Sequence, residues 1–246
     1  MPSAPDFFVI LKSVDSTNNY AMGKIHSGEV KDGKAWFALK QTAGKGRRGK
    51  AWQAQSGQNI LLSIVMDTRF LQVYEQFKIS IVASLSCYDF LNNNAKNCVK
   101  IKWPNDLFWN DSKAGGILIE NVISGNIWQW SVIGIGININ QTQFPKEINN
   151  AVSLKQITGE MYDVIKMGEQ LYKCFLRRWN QIKENNFDKM LIQYNNLLYK
   201  KDEKIRLRKK NMIFETTLKS VSKFGQLQTT DTIERAFDFD EVEWIL

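Results

Sequence analysis

Short apolar runs alternate with polar, glycine-containing segments up to about residue 140. Runs of β-branched and aromatic residues that are bounded by turn-forming residues are typical of strands. Pro104 stops one of these runs, and residues 124–126 have the composition of a hairpin turn. The pattern therefore predicts strands at residues 7–14, 35–41, 59–66, 99–106, 116–123 and 127–139.

Other segments space their apolar residues as helices do. Residues 19–25 follow a cluster of N-cap candidates at 15–18, and the apolar spacing in 74–91 suits a buried helix. Residues 160–199 read as helical, with a break predicted at 185–186. One stripe of this segment should face the core: Val164, Leu171, Phe175, Trp179 and Ile182. Together the elements predict an α+β fold, a mixed and mostly antiparallel sheet with helices on one face.

The pattern of apolar and polar residues changes again after residue 199. Short strand-like segments at 204–208, 214–221, 225–229 and 242–245 predict a small β-barrel or curled sheet. We therefore expect two domains, at residues 1–199 and 200–246. The basic cluster at 206–210 is interpreted as a solvated face, and we expect the acidic residues between 231 and 243 to compensate its charge.

Charge and composition limit the classes of ligand and of metal site that the chain can have. The formal net charge is +8, which favours an anionic partner: nucleic acid, an acidic protein or a nucleotide. His26 is the single histidine, so multi-histidine metal sites and HExxH sites are excluded. The cysteines Cys87, Cys98 and Cys174 are scattered, as in reduced cytoplasmic proteins. Because there is neither a long apolar run nor an export signal, we expect a soluble, cytoplasmic protein away from the membrane.

The segment at residues 41–52 is the strongest candidate for ligand binding. Between Lys40 and Lys50 it carries five basic residues, no acidic residue and three glycines. Gly44, Gly46 and Gly49 match GxGxxG, and the segment almost matches a P-loop. Both motifs need a helix after the loop, whereas a predicted strand follows here. We exclude both motifs and keep the interpretation as a cradle for phosphate or carboxylate.

Three further polar clusters lie at the ends of predicted strands, at residues 15–18, 102–113 and 134–140. Adjacent strand ends converge, so these clusters and residues 41–52 could line one cleft. Asp106 and Lys113 flank a predicted β-turn, and the lysine could stabilise developing negative charge or simply lie at the surface. Gly134 and Gly136 should leave one sheet face bare for a flat ligand. The cluster at 15–18 could serve only as a helix cap.

These clusters together resemble the motifs of biotin–protein ligases. The chain has GKGRRG at 44–49 with Trp52 behind it, KWPND at 102–106, KAGGILIE at 113–120, IGIGIN at 133–138 and STN at 16–18. The resemblance implies a class II synthetase-like catalytic domain followed by a small SH3-like barrel. Because few residues precede STN, it also implies a monofunctional ligase without an N-terminal DNA-binding domain or specific DNA binding. Lys45 departs from the family pattern, which has arginine there.

The resemblance further implies the reaction and its participants. Such an enzyme, a biotin–[acetyl-CoA-carboxylase] ligase, joins biotin to AMP from ATP and then passes biotin to a lysine of a biotin carboxyl carrier domain. Mg²⁺ arrives with ATP, no protein metal site is expected, and a homodimer is left open. By position, the catalytic residues are Lys113, Arg47 and Asp106. The residues for biotin are Ser16, Thr17, Asn18, Gln41, Gly44, Lys45, Gly46, Arg47, Lys113, Gly134 and Gly136, and those for the nucleotide are Arg47, Arg48, Trp52, Lys113 and Asn138.

Two alternatives remain open from the sequence. A lipoate– or octanoate–protein ligase would share the fold but have a different sequence in the basic loop. A nucleic-acid-binding module could use the same loop with residues 206–210, and its binding would weaken steeply with salt.

Overall fold

The structure of the chain is a computed structural model that describes residues 7–95, 97–145, 148, 150–184 and 186–245. Its first sheet has seven strands in the order β1-β2-β3-β7-β6-β5-β4. Strands β1 and β2 pair in parallel, and every other neighbouring pair in this sheet is antiparallel. The predicted mixed, mostly antiparallel sheet is confirmed. The strands are β1 Phe8–Leu11, β2 Ala35–Ala38, β3 Asn59–Asp67, β4 Val99–Lys102, β5 Asp106–Trp109, β6 Ser112–Ser124 and β7 Ile127–Asn138.

Helices cover both faces of this sheet, which corrects the expectation that they lie on one face. Successive residues of a strand point to opposite faces. On β2, Phe37 belongs to the large core shared with α2 (Phe77–Ala95) and α4 (Val164–Lys183), whereas Trp36 packs with Ala21 and Ile25 of α1 (Thr17–His26). The smaller apolar cluster around α1 therefore lies on the opposite face from α2 and α4.

The large core contains the whole predicted stripe of α4. Arg178 of α4 fixes this helix to α2 through a bidentate pair, because its Nε and Nη2 donate to the Asp89 carboxylate at 2.7 and 2.8 Å. The chain then turns into α5 (Phe187–Asn196), and of the predicted break at 185–186 residue 185 lies outside the described residues. A short helix that the sequence did not predict, α3 (Leu154–Thr158), begins with a capping box between Ser153 and Gln156.

The predicted turn between Asp106 and Lys113 is partly wrong. Strand β5 occupies most of that stretch and pairs with both β4 and β6, so the turn is confined to the residues around Asn110. Asn110 has φ +49°, the left-handed conformation that asparagine tolerates better than most residues. As a result, Asp106 and Lys113 lie on neighbouring strands.

A second sheet of five antiparallel strands follows, in the order β11-β10-β9-β8-β12, consistent with an SH3-like domain. The acidic stretch after residue 230 contributes a strand, β11, that the sequence did not predict. Arg206 and Arg208 are exposed on β8, as expected for a solvated face. The two-domain division at residue 199 stays a prediction. The strands are β8 Lys204–Lys209, β9 Met212–Val221, β10 Leu227–Thr230, β11 Glu234–Phe237 and β12 Glu243–Ile245.

The second sheet packs against the first through Trp103. The Trp103 indole Nε1 donates to the carbonyl oxygen of Gly225 at 2.9 Å, and its ring stacks on Phe239 at a centroid distance of 5.6 Å. Residues just before β12 are thereby brought to the end of β4. Among the described residues, none of the helices combines the length and the apolarity needed to cross a membrane.

Candidate functional site

The four predicted clusters converge on one cleft with a volume of about 470 Å³, on the glycine-bearing face of the first sheet. Residues 239 and 242–244, which lead into and begin strand β12 of the second sheet, form a further wall that the sequence did not predict. Gly44 lies outside the lining and closes the base of the loop, where its carbonyl oxygen accepts a hydrogen bond from Trp52 N at 2.9 Å. The predicted residues that line the cleft are Ser16, Thr17, Asn18, Gln41, Lys45, Gly46, Arg47, Arg48, Trp52, Asp106, Lys113, Gly134, Gly136 and Asn138.

The glycine strand does allow a close approach, but side chains of the chain itself make it. A Cβ on Gly136 would lie 2.5 Å from Cε2 of Trp52, and one on Gly134 would lie 2.9 Å from Cγ of Asn18. The expectation of a bare face for a flat ligand is therefore corrected. The glycines seat the Trp52 indole and the Asn18 carboxamide flat against β7, and these two groups form the surface of the cleft.

The start of α1 supplies a polar wall. The backbone N–H and hydroxyl of Thr17 both donate to Gln41 Oε1, at 2.7 and 3.0 Å. Because its oxygen is engaged, the Gln41 carboxamide keeps its NH₂ group for other acceptors. Ser16 occupies the N-cap position with no side-chain capping bond, although its side chain is buried at the cleft. The interpretation of this cluster as a helix cap alone is not what the structure shows.

Glu120 and Ser63 support this wall, and neither was among the predicted site residues. Asn18 Nδ2 donates to Glu120 Oε2 at 2.7 Å, while Ser63 Oγ lies 2.6 Å from Asn18 Oδ1 and 2.7 Å from Thr17 Oγ1. Lys45 Nζ is 3.7 Å from Glu120 Oε1, so the lysine that replaces the family's arginine pairs with a carboxylate of β6. Glu120 could have been suspected from the sequence, because it closes the KAGGILIE motif.

Lys113 and Asp106 form an ion pair at the centre of the cleft. Lys113 Nζ lies 2.6 Å from Asp106 Oδ1, and both side chains are mostly buried. Gly116 lies beside the pair and the Trp52 ring, since a Cβ there would meet Trp52 Cζ3 at 3.3 Å, Lys113 Cε at 3.4 Å and Asp106 Oδ1 at 3.5 Å. Asn138 donates from Nδ2 to the carbonyl oxygens of Lys113 and Val152, at 3.3 and 3.2 Å. Asn138 therefore braces the backbone of Lys113.

Lys102 adds a third cation at the end of β4. The residue is 9% exposed, and its Nζ lies 4.9 Å from the ring centre of Trp244 and 5.4 Å from that of Phe108. Burial, which disfavours the charged form, lowers the pKa of Lys102 to about 8. Among the described residues Lys102 forms no salt bridge, although the nearby Asp106 carboxylate partly offsets this lowering of its pKa. A buried lysine without a salt-bridge partner in a cleft is the arrangement expected of a group that meets an anionic ligand.

The two adjacent arginines of the loop both reach residues 239–243, but they make different sets of contacts. Arg47 lies over the ring of Phe239, with its Cζ 5.4 Å from the ring centre, and its Nη1 is 3.5 Å from Asn105 Oδ1. Arg48, predicted to bind the nucleotide, instead donates to Asp240, Glu243 and the carbonyl oxygen of Phe239. Both arginines line the cleft and share Asp240, but all three guanidinium nitrogens of Arg48 donate to residues 239–243, whereas Arg47 also reaches Asn105.

No group of three or more His, Cys, Asp or Glu side chains suited to a metal ion occurs within the described ranges. Positive charge at this site comes instead from Lys102, Lys113 and Arg47, with Lys45 and Lys50 at the loop. The cleft therefore combines clustered cations, a polar wall and an aromatic surface. The chain is thus an α+β protein with a cationic, partly aromatic cleft on one face of its seven-stranded sheet.

Comparison with known proteins identifies the class more closely. The model of the Biotin/lipoate A/B protein ligase family matches residues 10–138, more than half of the chain, so the chain belongs to this family. The bifunctional ligase/repressor BirA of Bacillus spizizenii is 29% identical over 182 residues, which are 73% of this chain and 56% of that protein. The biotin--[acetyl-CoA-carboxylase] ligase of Paracoccus denitrificans is 37% identical over 133 residues, 53% of each. The matched segment thus spans about half the length of these curated relatives.

A solved structure confirms the fold over nearly the whole chain. The biotin protein ligase from Aquifex aeolicus in complex with biotin and ATP superposes with a TM-score of 0.81 and is 25% identical. The superposition covers 97% of this chain and 98% of that one. The family resemblance and the α+β architecture with a small C-terminal sheet are both confirmed.

Proposed function

We propose that the chain is a biotin–protein ligase, which makes biotinyl-5′-AMP from biotin and ATP and transfers biotin to a lysine of a biotin carboxyl carrier domain. The observation that carries the proposal is the Lys113–Asp106 pair, which lines the same cleft as the polar wall at Thr17 and the Trp52 surface. These features offer, in one cleft, a charge-stabilising centre, polar groups for a urea ring and an aromatic face for a base.

In the first step the carboxylate of biotin attacks the α-phosphorus of ATP, and pyrophosphate leaves. Negative charge accumulates where the carboxylate meets the phosphate, so fixed cations at that point lower the barrier. Lys113 and Arg47 are assigned to this junction. Lys102, which is buried at the end of β4, adds to the field that draws the anionic substrates in.

The ureido ring of biotin has one carbonyl acceptor and two N–H donors. The Gln41 NH₂ group and the Ser16 and Thr17 hydroxyls match these groups in number and type. The second-layer bonds from Ser63 and Glu120 hold this wall in one orientation through Thr17 and Asn18. Gly134 and Gly136 contribute indirectly, by allowing Asn18 and Trp52 to lie against β7.

The adenine base is assigned to the Trp52 indole, which offers a flat aromatic face at the cleft. Asn138 acts beneath the nucleotide by bracing Lys113. Mg²⁺ is proposed to enter bound to the phosphates of ATP, which is the usual way that this ion reaches a phosphate-transfer site.

In the second step the amine of the acceptor lysine attacks the mixed anhydride, and AMP leaves. Only a neutral amine is nucleophilic, so a group that accepts its proton or orients it is needed. Asp106 is assigned this role. In the structure Lys113 neutralises the Asp106 carboxylate at a distance of 2.6 Å. When the Lys113 ammonium instead binds at the carboxylate–phosphate junction, the Asp106 carboxylate becomes available to the amine.

We also propose that the carrier domain is acidic and that the protein acts in the cytoplasm, and we leave open whether it is a monomer or a homodimer. The net charge of +8 favours an acidic carrier. Free thiols at Cys87, Cys98 and Cys174 suit the reducing cytoplasm, where ATP is available. Sedimentation of the purified protein with and without ligands would separate a monomer from a homodimer.

The deciding experiment mixes the purified protein with biotin, Mg-ATP and a carrier domain. The carrier should gain the mass of one biotinyl group, and a carrier whose acceptor lysine is replaced by arginine should gain none. Lipoate and octanoate are tested in parallel, because the family includes lipoate ligases. Transfer of lipoate in place of biotin, or no transfer of either, would refute the proposal.

A further inference from the structure

Arg48 uses every nitrogen of its guanidinium on one short segment of the chain. Its Nε donates to Asp240 Oδ1 at 3.2 Å, its Nη1 to Glu243 Oε1 at 2.8 Å and its Nη2 to the Phe239 carbonyl oxygen at 3.0 Å. A planar guanidinium that meets three acceptors is fixed in direction as well as in position. We call residues 239–243 the C-terminal strap.

The backbone of the loop separates Arg48 from Arg47. Arg48 has φ +53°, a left-handed conformation that is unfavourable for a residue with a long side chain. The loop is closed on either side of it by hydrogen bonds from Lys50 N to Arg47 O at 3.1 Å and from Gly46 N to Lys50 O at 2.7 Å. Such a strained residue persists only where its surroundings hold it. The contacts between Arg48 and the strap help to keep Arg48 in this left-handed conformation.

The same strap reaches Arg47. Asp240 Oδ1 accepts from Arg47 Nη2 at 3.4 Å, and the Phe239 ring lies under the Arg47 guanidinium. Phe239 is in turn stacked on the buried Trp103. The loop arginine that is assigned to the reacting junction is therefore located by a segment that is nearly two hundred residues away in the sequence.

We propose that Arg48, Asp240 and Glu243 are positioning residues, which hold the 44–50 loop over the cleft and thereby place Arg47 at the carboxylate–phosphate junction. This inference rests on the proposed ligase function for the identity of the junction. It assigns to the C-terminal sheet a task in adenylate retention, because the loop can open only when the strap releases Arg48.

The test neutralises the strap and leaves the loop intact. The double variant Asp240→Asn/Glu243→Gln removes both carboxylates but keeps all the basic residues that trypsin recognises in the loop. Cleavage of the ligand-free protein within the loop should become about tenfold faster, which corresponds to about 1.4 kcal/mol of lost closure. The matched control is Glu241→Gln, because Glu241 lies in the same segment but pairs with Lys209 and not with the loop. It should be cleaved at the wild-type rate.

The second measurement follows biotinyl-adenylate made in the site. The double variant should release it about tenfold faster than the wild type. Added salt should speed release from the wild type but hardly from the double variant, because salt screens the exposed ion pairs. The charge-exchanged variant Arg48→Glu/Glu243→Arg should retain the adenylate better than Arg48→Glu alone, which a merely structural role would not produce.

The outcomes separate the inference from the proposed function. If the double variant is cleaved at the wild-type rate, the strap does not hold the loop and the inference is wrong. If cleavage is faster but adenylate release is unchanged, the positioning role is wrong. A wild-type protein that forms no biotinyl-adenylate would overturn the ligase proposal, and the cleavage rates of the ligand-free proteins would still decide whether the strap holds the loop.

Discussion

Replacing Gly136 with alanine perturbs the Trp52 surface without touching any charged group. The new Cβ would lie 2.5, 2.6 and 2.9 Å from Cε2, Cζ2 and Nε1 of Trp52. Ordinary contacts between such atoms are roughly 3.5–4.0 Å. Strand β7 is held by β3 and β6 on its two sides, so the indole has to yield. It should move by about 1 Å, the difference between these contacts and an ordinary one.

This shift has a cost in stability and a cost in activity. Overpacking of this kind destabilises by about 1–3 kcal/mol when the ring cannot leave. Misplacing a substrate-positioning group by about 1 Å can slow a reaction by about 10²-fold. We therefore expect adenylate formation by Gly136→Ala to fall between about tenfold and a hundredfold, with the Michaelis constant for ATP raised more than that for biotin.

The assay is biotin-dependent release of pyrophosphate at varied ATP and at varied biotin, with a thermal unfolding curve for each protein. Gly23→Ala is the matched control, since a Cβ on this helical glycine meets nothing within 4 Å. The control should keep full activity and gain roughly 0.5–1 kcal/mol of stability from its helical position. Wild-type ATP kinetics in Gly136→Ala would show that the position of Trp52 over this glycine does not matter for the nucleotide.

Three other changes give separate tests. Lys113→Ala should slow adenylate formation by about 10²-fold or more, on the scale of one preorganised electrostatic donor, and a near-normal rate of pyrophosphate release would remove Lys113 from the mechanism. Arg47→Gly should let biotinyl-adenylate escape and label bystander lysines, which mass spectrometry of a mixed protein sample detects; strict selectivity for the carrier would contradict the role of the loop as a lid. Lys102→Met should raise the free energy of unfolding at pH 7 by up to about 3 kcal/mol, because burial lowers the pKa of Lys102 from 10.5 to about 8. Between pH 8 and pH 10.5 the unfolded wild type binds more protons than the folded wild type, so the stability of the wild type rises with pH in this range. In urea unfolding the stability advantage of Lys102→Met should therefore be smaller at pH 10 than at pH 7. An equal advantage at both pH values would contradict this reasoning.

The sequence predicted the location of the cleft because its signals are local. Glycines at alternate positions of a strand, at Gly134 and Gly136, predict that something approaches the backbone closely, and the structure agrees. The pattern could not tell that Trp52 makes this approach, since that depends on how the loop folds back over β7. Strand β5 was missed for a related reason: its four residues are too few to show a period and are bordered by asparagine and aspartate.

Adjacent arginines show the limit of reading chemistry from sequence alone. Arg47 and Arg48 have the same composition around them, and both were assigned to the nucleotide. In the structure both reach Asp240, but Arg48 also donates to Glu243 and the Phe239 carbonyl oxygen, whereas Arg47 also reaches Asn105. Those partners, Asp240 and Glu243, looked like compensation for nearby basic residues, because a sequence does not show which charges meet across the fold.

The long sequence separation between the loop and the C-terminal strap also bears on the order in which the site is assembled. The contacts of Arg48 join residues 191 to 195 positions apart. Contacts of such separation cannot form on the ribosome until the last strands have been synthesised, and domains generally fold from the N-terminus onward. A nascent chain can therefore build its seven-stranded sheet early and still leave the cleft open. Under the proposed ligase function, closure over a reactive intermediate becomes available only after residues 239–243 have been synthesised and have reached Arg48.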